Sequence, residues 1–255
     1  MTSAASRKSL RIGVMLEAVQ LSDIVGIDIF GNLSTEYFAE MVTIEPRLES
    51  FRDQAMDITF YYIASTLDPA PITPGIKFAP NTTYDDCPRN LDIVFIGGPH
   101  PSHRPAAADK FLKEAWDQTP VFFTTCIGSL WLASSGVMKG LSATTNRGAL
   151  SMARTMLPDI EWLDQRWVVA SKPYGAEGGE GQLWTSGGAG CGKSCSNDEL
   201  RLPPANHSIQ GIEMVARYCL EKFDPKFVNA LALQGLDFDP EGSRGQFYQG
   251  PPMQY

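Results

Sequence analysis

Residues 121–136 read VFFTTCIGSLWLASSG, and the order of residue types along them sets the architecture. Positions 121–124 are apolar, aromatic or β-branched, the composition of a strand buried on both faces of a parallel sheet. Thr125-Cys126-Ile127-Gly128 follows, and from Leu130 apolar side chains return at helical spacing as far as Val137 and Met138. The unit is strand, sharp turn, helix, with one cysteine at the turn and a glycine two residues on where another segment can approach closely. A cysteine so placed points out of the carboxyl end of the sheet and lies against the positive end of a helix, which favours thiolate over thiol. The same layout with serine is a nucleophile elbow, in which the N–H of the next residue, here Ile127, faces the developing charge. The plainer reading is a small buried side chain closing a core strand, since unpaired cysteine is among the most buried residue types.

Upstream, residues 91–96 (LDIVFI) read as a second buried strand that runs directly into Gly97-Gly98-Pro99-His100-Pro101. Two glycines at a strand's carboxyl end let the backbone approach a ligand or turn with positive φ, and that end is where open α/β sheets bind ligands. His100 and His103 fall in this loop. Either could orient or deprotonate a nearby thiol, but the flanking prolines equally favour an exposed loop, the expectation for His103, while His100 stays open. The first strand is expected at residues 10–16. Ser22 is then placed to cap a helix running to Met41, with Asp23 in its first turn, where the helix dipole stabilises a carboxylate. Residues 56–64 read as a strand, 76–80 as an extended piece, and Cys87 as an incidental surface or loop thiol.

A helix over 106–118 delivers the chain to the elbow. Beyond it come a short strand and turn at 141–146 and a helix at 149–156. A strand at 160–170, a Gly-rich loop at 174–181 and a strand at 183–186 ending in Gly187-Gly188 follow, then helices at 212–223 and 226–234. Alternating strands and helices at crossover spacing predict a single doubly wound α/β domain with a mostly parallel sheet flanked by helices. Its expected limits are 10–240, after a lead-in at 1–9 and before an irregular tail at 241–255.

Across the 255 residues the apolar fraction is 43%, the charged fraction 20% and the formal net charge −8. No basic stripe offsets that balance, so nucleic acid and anionic membranes are poor partners and a small molecule is the better one. No apolar run approaches the ~20 residues of a membrane span, and the amino terminus lacks the pattern of a signal peptide. Cysteines at 87, 126, 191, 195 and 219 form no disulfide framework, which points to a reducing, cytoplasmic setting. Neither GxGxxG after the first strand nor GxxxxGK[ST] occurs, and Cys191 and Cys195 have no second pair to complete a zinc site. The expectation is chemistry without a cofactor or metal.

Asp23 followed by IVGIDIF, then LDIVFIGGP, TTCIGSLWLASSGVMKG, ATTNRGA, and LWTSGGAG resuming at GIEMVARYC, together resemble the ThiJ/PfpI superfamily over roughly residues 10–239. The resemblance implies a glutamine-amidotransferase-like fold and a homodimer. It implies Cys126 as the reactive thiol, Asp23 as the acid that hydrogen-bonds or relays its proton, and the Gly98 and Ile127 amides as an anion hole beside Gly97. The glycine before Ile27 and the Asp-x-Phe after it resemble the isocyanide hydratase branch, which adds water to an isonitrile to give an N-formamide. Ile127 departs from that branch's usual threonine, Glu17 offers a competing acid, and residues 191–210, with Cys195 and His207, read as an insertion.

The function so implied is a cysteine-dependent hydratase or lyase acting on a small electrophile of secondary metabolism, hydrophobic if Trp131 and Phe123 line its pocket. Two alternatives stand beside it: a redox sensor or stress protein with an oxidisable Cys126, and a glyoxalase or deglycase acting on 2-oxoaldehydes.

Overall fold

The computed structural model describes residues 8–188 and 210–236. Cys191, Cys195 and His207 of the expected insertion, and the tail from 241, lie outside the described residues. The strands are β1 (Ser9–Met15), β2 (Asp57–Ala64), β3 (Ala70–Ile72), β4 (Ile76–Phe78), β5 (Thr82–Thr83), β6 (Ile93–Ile96), β7 (Val121–Thr125), β8 (Ser142–Ala143), β9 (Glu161–Trp162), β10 (Trp167–Tyr174) and β11 (Gly179–Ser186). The helices are α1 (Leu21–Ile24), α2 (Ile27–Gly31), α3 (Thr35–Ile44), α4 (Ala106–Trp116), α5 (Gly128–Ser134), α6 (Leu150–Met156), α7 (Gln210–Lys222) and α8 (Pro225–Phe227).

Seven strands form the main sheet in the order β10-β11-β7-β6-β1-β2-β5, with every pair parallel except the β10–β11 hairpin. Register explains why both faces are covered. Phe95, Phe123 and Trp184 are aligned across β6, β7 and β11, with Phe95 stacked on Phe123 at 4.8 Å. Tyr218 of α7 meets Phe123 edge-on at 5.1 Å, and Phe30 of α2 closes the cluster. Side chains one position earlier point to the other face, where Phe122 meets Trp116 of α4 at 5.0 Å. α2 and α7 therefore cover one face and α4 the other. Each of these buried aromatics contributes roughly 1.5–3 kcal/mol through burial, and the elbow projects from the sheet centre that they pack.

Several expectations are corrected. The helix expected from Ser22 to Met41 is three short ones. It breaks at Gly26, where a Cβ would lie 2.9 Å from Val215 of α7, and again before Ser34, whose hydroxyl caps α3 by accepting the Tyr37 N–H at 3.2 Å. Ser22 caps nothing. The residue flanking α1 is Gln20, and the Leu21 N–H is satisfied instead by Thr73 Oγ1 at 3.2 Å. The strand expected at 160–170 is divided into β9 and β10, and the Gly-rich loop after it is the tight turn of a hairpin, with Gly175 and Gly178 at positive φ. Cys87 is buried in the core, because its loop folds back on β5 and donates the Cys87 N–H to the Thr83 carbonyl.

Candidate active site

β7 ends at Thr125 and α5 begins at Gly128, so two residues make the turn. Cys126 occupies it with φ at +59°, a left-handed conformation that a non-glycine residue adopts at a cost of about 1–3 kcal/mol. The surrounding bonds hold it there. The Cys126 N–H donates to the Ser186 carbonyl of β11 at 3.0 Å, and its carbonyl accepts from the hydroxyls of Ser129 and Thr145, each at 3.2 Å. Gly128 is the glycine two residues on, and a Cβ there would stand 2.4 Å from the Ile96 carbonyl. The close approach expected of it is the crossing of the helix start over the end of β6. The sulfur-bearing residue is partly exposed, whereas Cys87 and Cys219 are buried.

Asp23 lies in α1, 3% exposed. Its Oδ2 accepts the Gly98 N–H at 2.9 Å, while Oδ1 is buried without a partner. Burial pushes this carboxyl up to about 7, against the pull of the Gly98 N–H. Gly97 and Gly98 have ordinary negative φ, and their need for glycine is packing. A Cβ on Gly97 would press on Ile24, Val19 and Asp23, and one on Gly98 would stand 2.9 Å from both Asp23 Oδ2 and Ile127 Cγ1. Gly98 is thus the thin wall between α1 and the elbow.

The sequence places the cysteine correctly but not its charge. Burial, and then the Asp23 charge, push the Cys126 thiol up to about 11, against the Ile127 N–H and the Asn146 amide, which pull it down. The helix-dipole argument for a standing thiolate is outweighed first by burial of the sulfur and then by the nearby Asp23 carboxylate. Part of the upward push is removable: once Asp23 is protonated, its charge no longer opposes a thiolate. Near neutrality Asp23 therefore titrates while the neighbouring thiol keeps its own proton.

The other expected residues fall less neatly. Gly98, expected to donate to an anion, donates to Asp23. The Ile127 N–H faces the sulfur, and the Ile127 side chain packs against Gly98. His100 is exposed, and its ring is held within its own turn by Ser102 Oγ at 2.7 Å. His103, expected to be exposed, is partly buried instead, with its ring edge against Trp131 at 5.6 Å and Nε2 3.4 Å from Glu17. Glu17 also accepts from the Ser65 N–H and hydroxyl, so the competing acid is bound elsewhere. Trp131 and Phe123 are fully buried in the core and give no support to a hydrophobic substrate.

Sequence reasoning missed Asn146, whose Nδ2 lies 3.5 Å from Cys126 Sγ, and Thr73, which caps α1. Asn146 was visible only as part of ATTNRGA, and nothing local ties it to a cysteine 20 residues earlier. Among the described residues no three His, Cys, Asp or Glu side chains converge as metal ligands, and no helix is long and apolar enough to cross a membrane.

In fold, the chain resembles a ThiJ/PfpI family protein from Pseudomonas syringae, with a TM-score of 0.63 at 18% identity over 94% of this chain and 79% of that one. DJ-1beta of Drosophila melanogaster superposes with a TM-score of 0.57 at 15% identity, over 91% of this chain and 99% of the other. Isonitrile hydratase of Pseudomonas putida is 28% identical over 93 residues, which are 35% of this chain and 40% of that enzyme. The aligned part is thus under half the length of that relative. Residues 33–185, which include Cys126 and Asn146 but begin after Asp23, match the DJ-1/PfpI family. With that match covering more than half of its length, the chain belongs to the DJ-1/PfpI family.

Proposed function

We propose that this protein is a cysteine-dependent hydratase or lyase acting on a small electrophile, isonitriles being the first class to test. The observation that carries the reading is the pairing of a strained, partly exposed cysteine at an elbow with a buried carboxyl poised at about 7. A group near neutrality can both accept and return a proton during turnover. The distant likeness to an isonitrile hydratase favours this class over the 2-oxoaldehydes.

For an isonitrile the steps balance as follows. The Cys126 proton passes to Asp23 as the sulfur adds to the terminal carbon, forming one C–S bond. That carbon then receives the proton, giving a neutral thioimidate. Water adds to the same carbon while one of its protons passes through the carboxylate to the nitrogen, and the C–S bond then breaks as the new hydroxyl's proton passes through the same carboxylate to the leaving sulfur. The product is the N-formamide, with enzyme and carboxyl returned to their starting states. No oxidant, reductant or cofactor enters.

The working form is proposed to be a cytoplasmic homodimer. The test is turnover of a panel of alkyl and aryl isonitriles to formamides, with 2-oxoaldehydes in parallel. Formamide production lost in Cys126→Ala and in Asp23→Asn supports the reading. Full activity in Cys126→Ala refutes covalent catalysis, and lactate from methylglyoxal with no formamide moves the chain to the glyoxalase class.

A further inference from the structure

If the Gly98 N–H is committed to Asp23, another donor must face the negative charge that forms on sulfur. Asn146 follows β8, and its side chain bridges two places. Its Oδ1 accepts the Gly148 N–H at 3.0 Å, which fixes the amide so that the NH2 end, and not the oxygen, is turned to Cys126 Sγ at 3.5 Å. The residues around it hold the turn. Thr145 donates to the Cys126 carbonyl, the Thr144 N–H donates to Thr185 Oγ1 of β11 at 2.8 Å, and Arg147 pairs with both oxygens of Asp164 at 2.8 and 2.9 Å. The amide is thereby positioned before any substrate arrives, the condition under which a donor aimed at a developing charge is most effective.

An amide has no proton to exchange near neutrality. Placed at the sulfur it can stabilise charge without competing for the proton that Asp23 handles. We propose that Asn146 is a catalytic residue whose amide, together with the Ile127 N–H, holds the negative charge of the Cys126 sulfur and of the adduct formed on it, the role sequence reasoning gave to Gly98. The assignment rests on Cys126 being the nucleophile. It divides the site into a proton carrier on α1 and a charge holder after β8, joined only through the sulfur.

The two roles of Asn146 separate by substitution. Asn146→Asp keeps an oxygen for the Gly148 N–H but loses the donor and adds a charge, whereas Asn146→Ala loses both. The readout is the pH–rate profile of Cys126 alkylation by iodoacetamide in the full-length protein, resolved by peptide mass spectrometry, which needs no substrate. Both variants are expected to move the midpoint to higher pH and slow alkylation at pH 8 by roughly tenfold or more, the loss of a hydrogen bond to a charged group, with Asp the slower. Asn146→Asp with the wild-type profile overturns the proposal and leaves Asn146 a turn cap, whatever Ala does. A wild-type Cys126 that resists alkylation at every pH overturns the nucleophile reading, and this assignment with it.

Discussion

Asp23→Asn tests the central electrostatic claim without any substrate. The carboxyl titrates at 3.8 in an unstrained setting and at about 7 in the folded chain, because burial penalises its charge. A carboxyl raised in this way binds more protons folded than unfolded between pH 4 and 7, so its contribution to stability is present at low pH and is lost as pH rises through 7. Above pH 7 the penalty approaches ~4 kcal/mol, at 1.36 kcal/mol per pH unit of displacement. Asparagine is neutral throughout and keeps an oxygen for the Gly98 N–H, but its NH2 replaces an oxygen that has no partner, a constant cost of about 1–3 kcal/mol. Subtracting wild type from variant cancels the titrating groups that do not feel Asp23, and Cys126, which does, keeps its proton in both folded proteins over this range. The difference should favour the variant by ~4 kcal/mol more at pH 8 than at pH 4, or roughly 10 °C in Tm at this chain length. The assay is chemical or thermal unfolding of both proteins at half-unit steps from pH 4 to 8.5. A difference that stays flat across that range would falsify the buried, near-neutral carboxyl, and with it the proton relay.

Gly98→Ala puts a methyl group 2.9 Å from Asp23 Oδ2 and Ile127 Cγ1; it should cost about 1–3 kcal/mol in urea unfolding and most of the turnover, and a fully active, equally stable variant refutes the wall described for Gly98. Thr73→Val removes the hydroxyl that receives the Leu21 N–H and should cost ~1 kcal/mol, with faster amide exchange in α1 but not in α5; equal exchange in both rejects its role in seating Asp23. Lys172 is buried between Trp116 and Phe122, with Nζ donating to the Trp116 and Pro173 carbonyls, and burial pushes it down to about 8. The folded chain then binds fewer protons than the unfolded one from about pH 8 to 10.5, so wild type should gain stability across pH 8–10 relative to Lys172→Met. Parallel pH dependences of the two proteins contradict the assignment.

The elbow was legible because its signal is local: a short β-branched and aromatic run, one cysteine and a glycine two residues on specify the strand, the turn and the close approach together. Asp23 was legible only through a longer pattern, since alone it reads as an ordinary first-turn carboxylate. What was not legible depends on partners far along the chain. The helix divides at Gly26, where Val215 of α7 packs too closely for a side chain, Ser22 yields its capping role to Thr73, and Asn146 reaches Cys126 only when the segment after β8 is tied through Thr144 to β11 beside β7. Phe123 and Trp131 lie on either side of the cysteine in sequence, yet both point into the core. Proximity in sequence to a reactive residue carries no information about which way a strand or helix turns its side chains.

The charge state of the sulfur is the sharpest of these misses, and it bears on mechanism. Sequence gives a helix start and so predicts a thiolate, but a helix end is worth no more than about 1–2 kcal/mol, less than burial and an adjacent carboxylate can oppose. The resting site then favours a thiol beside Asp23, and the sulfur becomes nucleophilic only as its proton leaves for that carboxyl. Such a site reacts slowly with peroxide at neutral pH yet attacks a bound electrophile, because the ligand excludes water and draws the proton transfer and the C–S bond into one event. Measured side by side at pH 7, peroxide should oxidise Cys126 no faster than an ordinary exposed thiol, with the rate climbing toward pH 10. Rapid, pH-independent conversion to a sulfinate would instead reveal a standing thiolate, and would put the sensor reading ahead of the hydratase.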